Sequence, residues 1–236
     1  MKKASLILVL ALILVSFLCS HVPAVGFGLG VKGSPHDFSV SNWNATNETC
    51  RVCHVPHEHE QPAQRYLNGL LWSHAVSSAS YSMYSSSWSP TIEGEQSPQP
   101  DGTAKLCLGC HDGTVAIDTF DRYAGGSWYM DDENPNAIIS VFTDGANIDL
   151  RGTHPISIKF PSGQVGDGKN FKDINTSTWY AGDSVASTLD NGKVQCSTCH
   201  DVHDQETVPG TRLLRSPQTV AEGGTPSQLC LTCHIK

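Results

Sequence analysis

Positive charge is scarce in this chain. Lys and Arg number 15 against 23 Asp and Glu, a formal net charge of −8 over 236 residues. A nucleic-acid partner needs clustered basic side chains, and this balance argues against one. Long apolar runs are nearly absent too. One covers residues 6–18, broken only by Ser16, and no second follows. Beyond it the sequence predicts a soluble chain with no stable membrane insertion. Methionine is the third shortage, with only Met1, Met83 and Met130. No sensor or partner domain is recognisable.

Sulfur is carried instead by nine cysteines. Eight of them fall in four copies of one pattern, Cys-x-x-Cys-His. The copies are Cys50, Cys53 and His54; Cys107, Cys110 and His111; Cys196, Cys199 and His200; Cys230, Cys233 and His234. Two zinc ribbons would use the Cys spacing, but they need no His after each second Cys. A disulfide framework would not repeat one tight motif. Cys-x-x-Cys-His is the attachment signature of c-type haem. Two thiols on one helical turn each add to a haem vinyl group, and the following His ligates the iron. The sequence therefore predicts four covalent haem c groups per chain. With methionine so scarce, it also predicts bis-histidine ligation.

The N-terminus reads as a secretory signal over residues 1–24. Lys2 and Lys3 open it, the apolar run follows, and Val22-Pro23-Ala24 supplies the cleavage site. Cys19 leaves with it. Loss of Lys2 and Lys3 brings the net charge to about −10. Localisation is then secreted, extracellular or at the outer cell surface, with the periplasm as the alternative. The remainder divides into a first two-haem module over 25–111, a haem-free β/loop insertion over 112–195 and a second two-haem module over 196–236. Four haems share roughly 53 residues each. The expected fold class is thus a multihaem cytochrome c: mostly irregular coil, short helices and a few short β-hairpins wrapped around a haem stack.

Local patterns refine this. Leu67, Leu70 and Leu71 predict a short helix over 65–74. β-Branched runs at 114–117, 137–142 and 156–160 predict hairpins in the insertion, and Asp190-Asn191-Gly192 predicts a tight turn. Tyr81, Tyr84 and Trp88 are candidate covers for haem edges, with ordinary side-chain packing as the other reading. There is also an internal repeat. Residues 50–60 and 196–206 share Cys-x-x-Cys-His-x-x-His-x-x-Glu, and residues 106–111 and 229–234 share Leu-Cys-Leu-x-Cys-His. Leu70-Leu71-Trp72-Ser73-His74 aligns with Leu213-Leu214-Arg215-Ser216-Pro217, so Pro217 stands where His74 stands.

His54, His111, His200 and His234 are the proximal iron ligands. His36, His57, His74, His154 and His203 are the distal candidates, one more than four irons require. His57 and His203 are repeat equivalents suited to ligating a neighbouring haem. His36 and His154 each precede the first motif of a half. His59 is expected to be a surface residue. The spare histidine leaves room for a ligand given to a neighbouring molecule, with His36 the first choice and His57 the second.

The words Cys-x-x-Cys-His-x-Pro-His at 50–57, Leu71-Trp72-Ser73-His74, Leu106-Cys107-Leu108-Gly109-Cys110-His111-Asp112-Gly113-Thr114 and His154-Pro155-Ile156, with the terminal Leu-Cys-Leu-Thr-Cys-His, resemble the doubled Cys-x-x-Cys-His multihaem cytochromes of metal-reducing bacteria. The chain is similar in particular to their tetrahaem extracellular members that polymerise into conductive filaments. The resemblance implies stacked bis-His haems, a mostly loop fold and electron transport outside the cell. It implies a homopolymer built through end-to-end haem contact, with other redox proteins or extracellular electron acceptors as partners. An electron-transfer protein is expected rather than an enzyme. The alternatives are a discrete periplasmic tetrahaem carrier and a multihaem reductase with one open iron; a haem sensor or adhesin ranks last.

Overall fold

The computed structural model describes residues 28, 30–55, 71–121, 123–139 and 143–235. The signal segment, His57 and His59 lie outside the described residues. Regular structure is short. Among the described residues the helices are α1 (Gly102–His111), α2 (Met130–Glu133), α3 (Cys196–Cys199) and α4 (Gln228–Leu231), and of these only α1 exceeds four residues. The strands are β1 (Tyr81–Ser82), β2 (Thr119–Phe120), β3 (Tyr123–Ala124), β4 (Thr143–Asp144), β5 (Asn147–Asp149), β6 (Ile158–Lys159) and β7 (Lys193–Val194).

α1 forms because Ala104, Lys105, Leu106 and Leu108 are good helix formers, and Ala104, Leu106 and Leu108 are buried. It stops at Gly113, whose φ of 74° is the left-handed conformation that ends helices. Two of the predicted hairpin runs behave differently. Residues 114–117 form the turn that leaves α1, drawn back by Asp112, whose carboxylate accepts from the Thr114 N–H at 2.8 Å. Of 137–142, Ala137 ends a 3-10 turn, and 140–142 lie outside the described residues. The strands pair β1-β5-β4, β2-β3 and β6-β7. β2-β3 and β4-β5 are local hairpins, whereas β6 and β7 are far apart in sequence and joined antiparallel. The turn before β7 has Asn191 at φ 52° and Gly192 at φ 74°, the two positive φ values of a type I′ turn.

The helix expected over 65–74 is corrected where it is described. Residues 71–74 are not helical: Leu71 is left-handed at φ 51°, Trp72 bridges His54 and His74 bridges Phe120. Pairing with a distant strand has overridden the local periodicity. Residues 112–195 pair with the stretch before them. β5, inside this segment, runs parallel to β1 of the first module with Tyr81 opposite Ile148.

Apolar packing is divided. Trp43, Val52, Ile117, Phe120 and Met130 form one cluster, with Cys53 and Cys110 against it. Tyr81, Leu108 and Leu150 form a second, joined by Met83. Between the halves the contact is polar. Gln195, 2 % exposed, donates from Nε2 to Asp101 at 2.9 Å and accepts from the Ser157 hydroxyl at 3.0 Å. Ser157 Oγ accepts the Asp101 N–H, and Lys193 binds the Asp101 carboxylate. Thr103 and Ser197 join α1 to α3 through their hydroxyls at 2.7 Å. A Cβ on Gly102 would lie 2.4 Å from the Asp190 carboxylate, so only glycine allows this approach.

Gln195→Leu keeps the volume but leaves the Ser157 and Asp101 groups without their partner. It should lower the unfolding free energy by about 2–3 kcal/mol, read by denaturant unfolding. A change below about 0.5 kcal/mol would show the network to be dispensable. Burial alone would raise the Asp101 carboxyl, but Lys193, Ser97 and Gln195 hold it below the usual range. A depressed native carboxyl stabilises above its unfolded value, and that contribution disappears as pH falls below about 4. The acid loss should be smaller in Lys193→Met, measured by the same unfolding series at several pH values.

Candidate functional site

Three of the four Cys-x-x-Cys-His segments are held by the same backbone clamp. The residue after the His donates its N–H to one side of a passing strand, and the second Cys accepts from the other side. For the first motif the bonds are Val55 N–H to Leu71 O and Ser73 N–H to Cys53 O. For the third they are Asp201 N–H to Leu213 O and Arg215 N–H to Cys199 O. For the fourth they are Ile235 N–H to Asn170 O and Lys172 N–H to Cys233 O. The second motif lies within α1 instead, and Ile139 N–H caps the His111 carbonyl.

The clamp corrects the repeat by one residue. His54 bridges Trp72 and His200 bridges Leu214. Leu71 and Leu213 are both left-handed, at φ 51° and 57°. The Ser73 hydroxyl binds the Arg51 carbonyl, while Arg215 Nε binds the equivalent Ser197 carbonyl. Trp72 therefore corresponds to Leu214, and His74 to Ser216 rather than Pro217. The matched Leu-Leu and Ser letters obscured a shifted register that only the strand pairing reveals.

Three histidine pairs face one another across a gap. His36 and His111 have ring centroids 6.1 Å apart, His54 and His203 6.3 Å, and His154 and His234 6.3 Å. Two metal–nitrogen bonds of about 2 Å each, with half an imidazole ring behind each nitrogen, fill about 6 Å. Each pair thus has the separation at which two imidazoles share one metal ion. Each also joins one motif histidine to one distal candidate. His36 and His154 both serve the second motif of their half, as repeat equivalents. His203 belongs to the second half and faces the first.

Hydrogen bonds set the tautomers. His111 Nδ1 meets the Ala137 carbonyl at 2.7 Å, His200 Nδ1 the Arg212 carbonyl at 2.8 Å and His154 Nδ1 the Pro155 carbonyl at 2.9 Å. A carbonyl only accepts, so Nδ1 carries the proton and Nε2 presents its lone pair. Nδ1–H bonding to a backbone carbonyl is how metal-ligating histidines are oriented. Burial, followed by the nearby His111, His200 and His203, lowers the His36 pKa to about 4, which keeps it neutral as a ligand must be.

Rings on both sides of the pairs have further supports. The Asp201 carboxylate accepts the His203 N–H at 3.1 Å and the Gln205 and Glu206 N–H groups at 2.8 Å, folding the turn that carries His203. Phe171 packs on His234 at 4.7 Å. No local pattern marks Phe171, because its bridge to His234 spans distant sequence. Asp201 carries the signal of an Asx turn.

The thiols follow one another in space in sequence order. Cys53 neighbours Cys107 and Cys110, Cys107 lies beside Cys196, and Cys199 neighbours Cys230 and Cys233. Burial pushes Cys53 and Cys233 up to about 12 and Cys199 to about 11. Cys50 and Cys230 are exposed, and all eight described cysteines are free thiols. Among the described residues, no three His, Cys, Asp or Glu side chains converge on a bare metal site.

The remaining candidates divide. His74 is fully buried, with Nδ1 on the Ala75 carbonyl and Nε2 3.5 Å from Cys110 Sγ. His200 has no described imidazole opposite it in a ring contact. His36, expected as the outward-reaching histidine, is turned inward onto His111. Trp88 covers the Arg151 guanidinium at 4.1 Å, and Tyr84 donates to the Thr153 carbonyl. Compared with known proteins, no family model matches the chain, and no curated protein matches it.

With a haem iron held between each pair, alanine at His36, His154 or His203 should open one sixth position. Electron paramagnetic resonance should then register one high-spin ferric iron per chain. A variant that leaves every iron low-spin removes that histidine from its pair.

Proposed function

We propose that this chain is a tetrahaem c-type cytochrome that passes electrons along a row of bis-histidine haems. The observation carrying this reading is the set of three imidazole pairs at a one-metal separation, each including a motif histidine. Haem supplies reversible one-electron chemistry when bound. The chain's own part is to ligate, to space and to exclude water. Cys50 and Cys53, Cys107 and Cys110, Cys196 and Cys199, and Cys230 and Cys233 anchor. His54, His111, His200 and His234 ligate from one side, and His203, His36 and His154 face the first, second and fourth of them. The unbroken order of the thiols favours one continuous row over two isolated pairs.

The fourth sixth ligand is assigned by the repeat. His57 is the counterpart of His203, and His200 that of His54, so exchange between halves brings His57 to His200. With His36 facing His111, His57 is the proposed crossing ligand, given to the His200 iron of a neighbouring copy. Such head-to-tail contact is heterologous and propagates as an open filament unless it closes. The proposed setting is extracellular, as the filament subunit, with extracellular acceptors or redox proteins as partners. A reductase would instead keep the His200 iron open.

Intact mass should exceed that of the polypeptide by four haems, and the resting irons should all be low-spin in the assembled protein. Micrometre fibres containing this chain in shed extracellular material support the filament. A strictly monomeric periplasmic protein leaves the discrete carrier. A high-spin iron that persists in the assembled wild type favours the reductase.

A further inference from the structure

We propose that the indole N–H of Trp72 is a carboxylate donor, binding a propionate of the haem held at His54. The inference rests on the haem reading above.

Trp72 is fixed beside that site by backbone pairing. It bridges His54, and the clamp bonds of Val55 and Ser73 flank it on either side. The two rings meet edge to face, with centroids 5.9 Å apart and planes at 90°. Trp72 Nε1 is buried and has no hydrogen-bond partner. Indole N–H groups buried in proteins usually have an acceptor, and buried polar groups are satisfied in the native state. Among the described residues none accepts it, and we assign the acceptor to what binds beside His54. The peripheral acceptors of haem are its two propionate carboxylates, and a charge-assisted N–H bond is the strong form of this contact. In the second half the equivalent position is Leu214, bridged to His200 in the same way. Leu214 carries no donor, so the two halves treat their first haem differently.

An N–H donor stabilises the ionised propionate and offsets its negative charge near the iron. Removing it raises the carboxyl pKa and favours the ferric state. Trp72→Phe keeps an aromatic ring against His54 and deletes the donor. The test is potentiometric titration of the holoprotein and of Trp72→Phe across pH, with haem content by mass and spin state recorded on both. The expected result is four haems and low-spin irons in both proteins. One midpoint potential should shift lower in the variant, with its pH-dependent step moved to higher pH. In the reduced, diamagnetic wild type, the Trp72 indole proton should be downfield and protected from exchange. Four superimposable potential curves at every pH, or an indole proton that exchanges freely, overturn the assignment while the haem reading stands. A wild type lacking four haems overturns both. Loss of ring packing alone would lower stability without moving the pH-dependent step.

Discussion

Facing imidazoles must stay about 6 Å apart for one metal to be shared between them, and much of the described structure serves that constraint. A helix turn cannot place both members of a pair, because the second ring approaches from elsewhere in the chain. Each motif histidine therefore needs one support beneath it and a second segment across the gap. The backbone clamps at His54, His200 and His234 give the first. The loops bearing His36, His154 and His203 give the second. Among the described residues regular secondary structure is short, and these approaches are made by loops and isolated bridges.

The polar junction at Gln195 and Asp101 follows from the same constraint. α1 carries the second motif and α3 the third, and their thiols lie side by side at Cys107 and Cys196. Two such helices cannot be separated by a thick apolar layer. Hydroxyls, a buried amide and a glycine with no Cβ let them approach closely. Directional hydrogen bonds define the register at that junction, where apolar contact alone would allow sliding.

The repeat explains how two similar halves complete one another. His203 lies in the second half but faces His54 of the first, and His154 comes from the stretch without motifs to face His234. Exchange of this kind makes the facing of the rings depend on the folding of both halves. The halves differ where the clamp differs. Trp72 faces Leu214 in the alignment, and Ser73 faces Arg215, whose guanidinium pairs with Asp201 and Glu206. These substitutions put different groups beside otherwise equivalent histidines.

The four Cys-x-x-Cys-His segments, the doubling and the five distal candidates are legible in the residues alone, because each is a pattern of adjacent letters with a chemical meaning. Asp190-Asn191-Gly192 is legible for the same reason, as a turn built from residues that tolerate positive φ. The helix expected at 65–74 shows the limit where it is described. Leu67, Leu70 and Leu71 carry a helical spacing, but in the described part Leu71 is left-handed and Trp72 and His74 are bridged to distant residues. The partners of His36, His154 and His203, the inward turn of His36 and the one-residue shift between Trp72 and Leu214 likewise involve contacts between residues far apart in sequence. No local pattern encodes such contacts. The sequence by itself determined which side chains are available for ligation, and only the tertiary structure decided which of them meet, since meeting depends on backbone pairing across the whole chain.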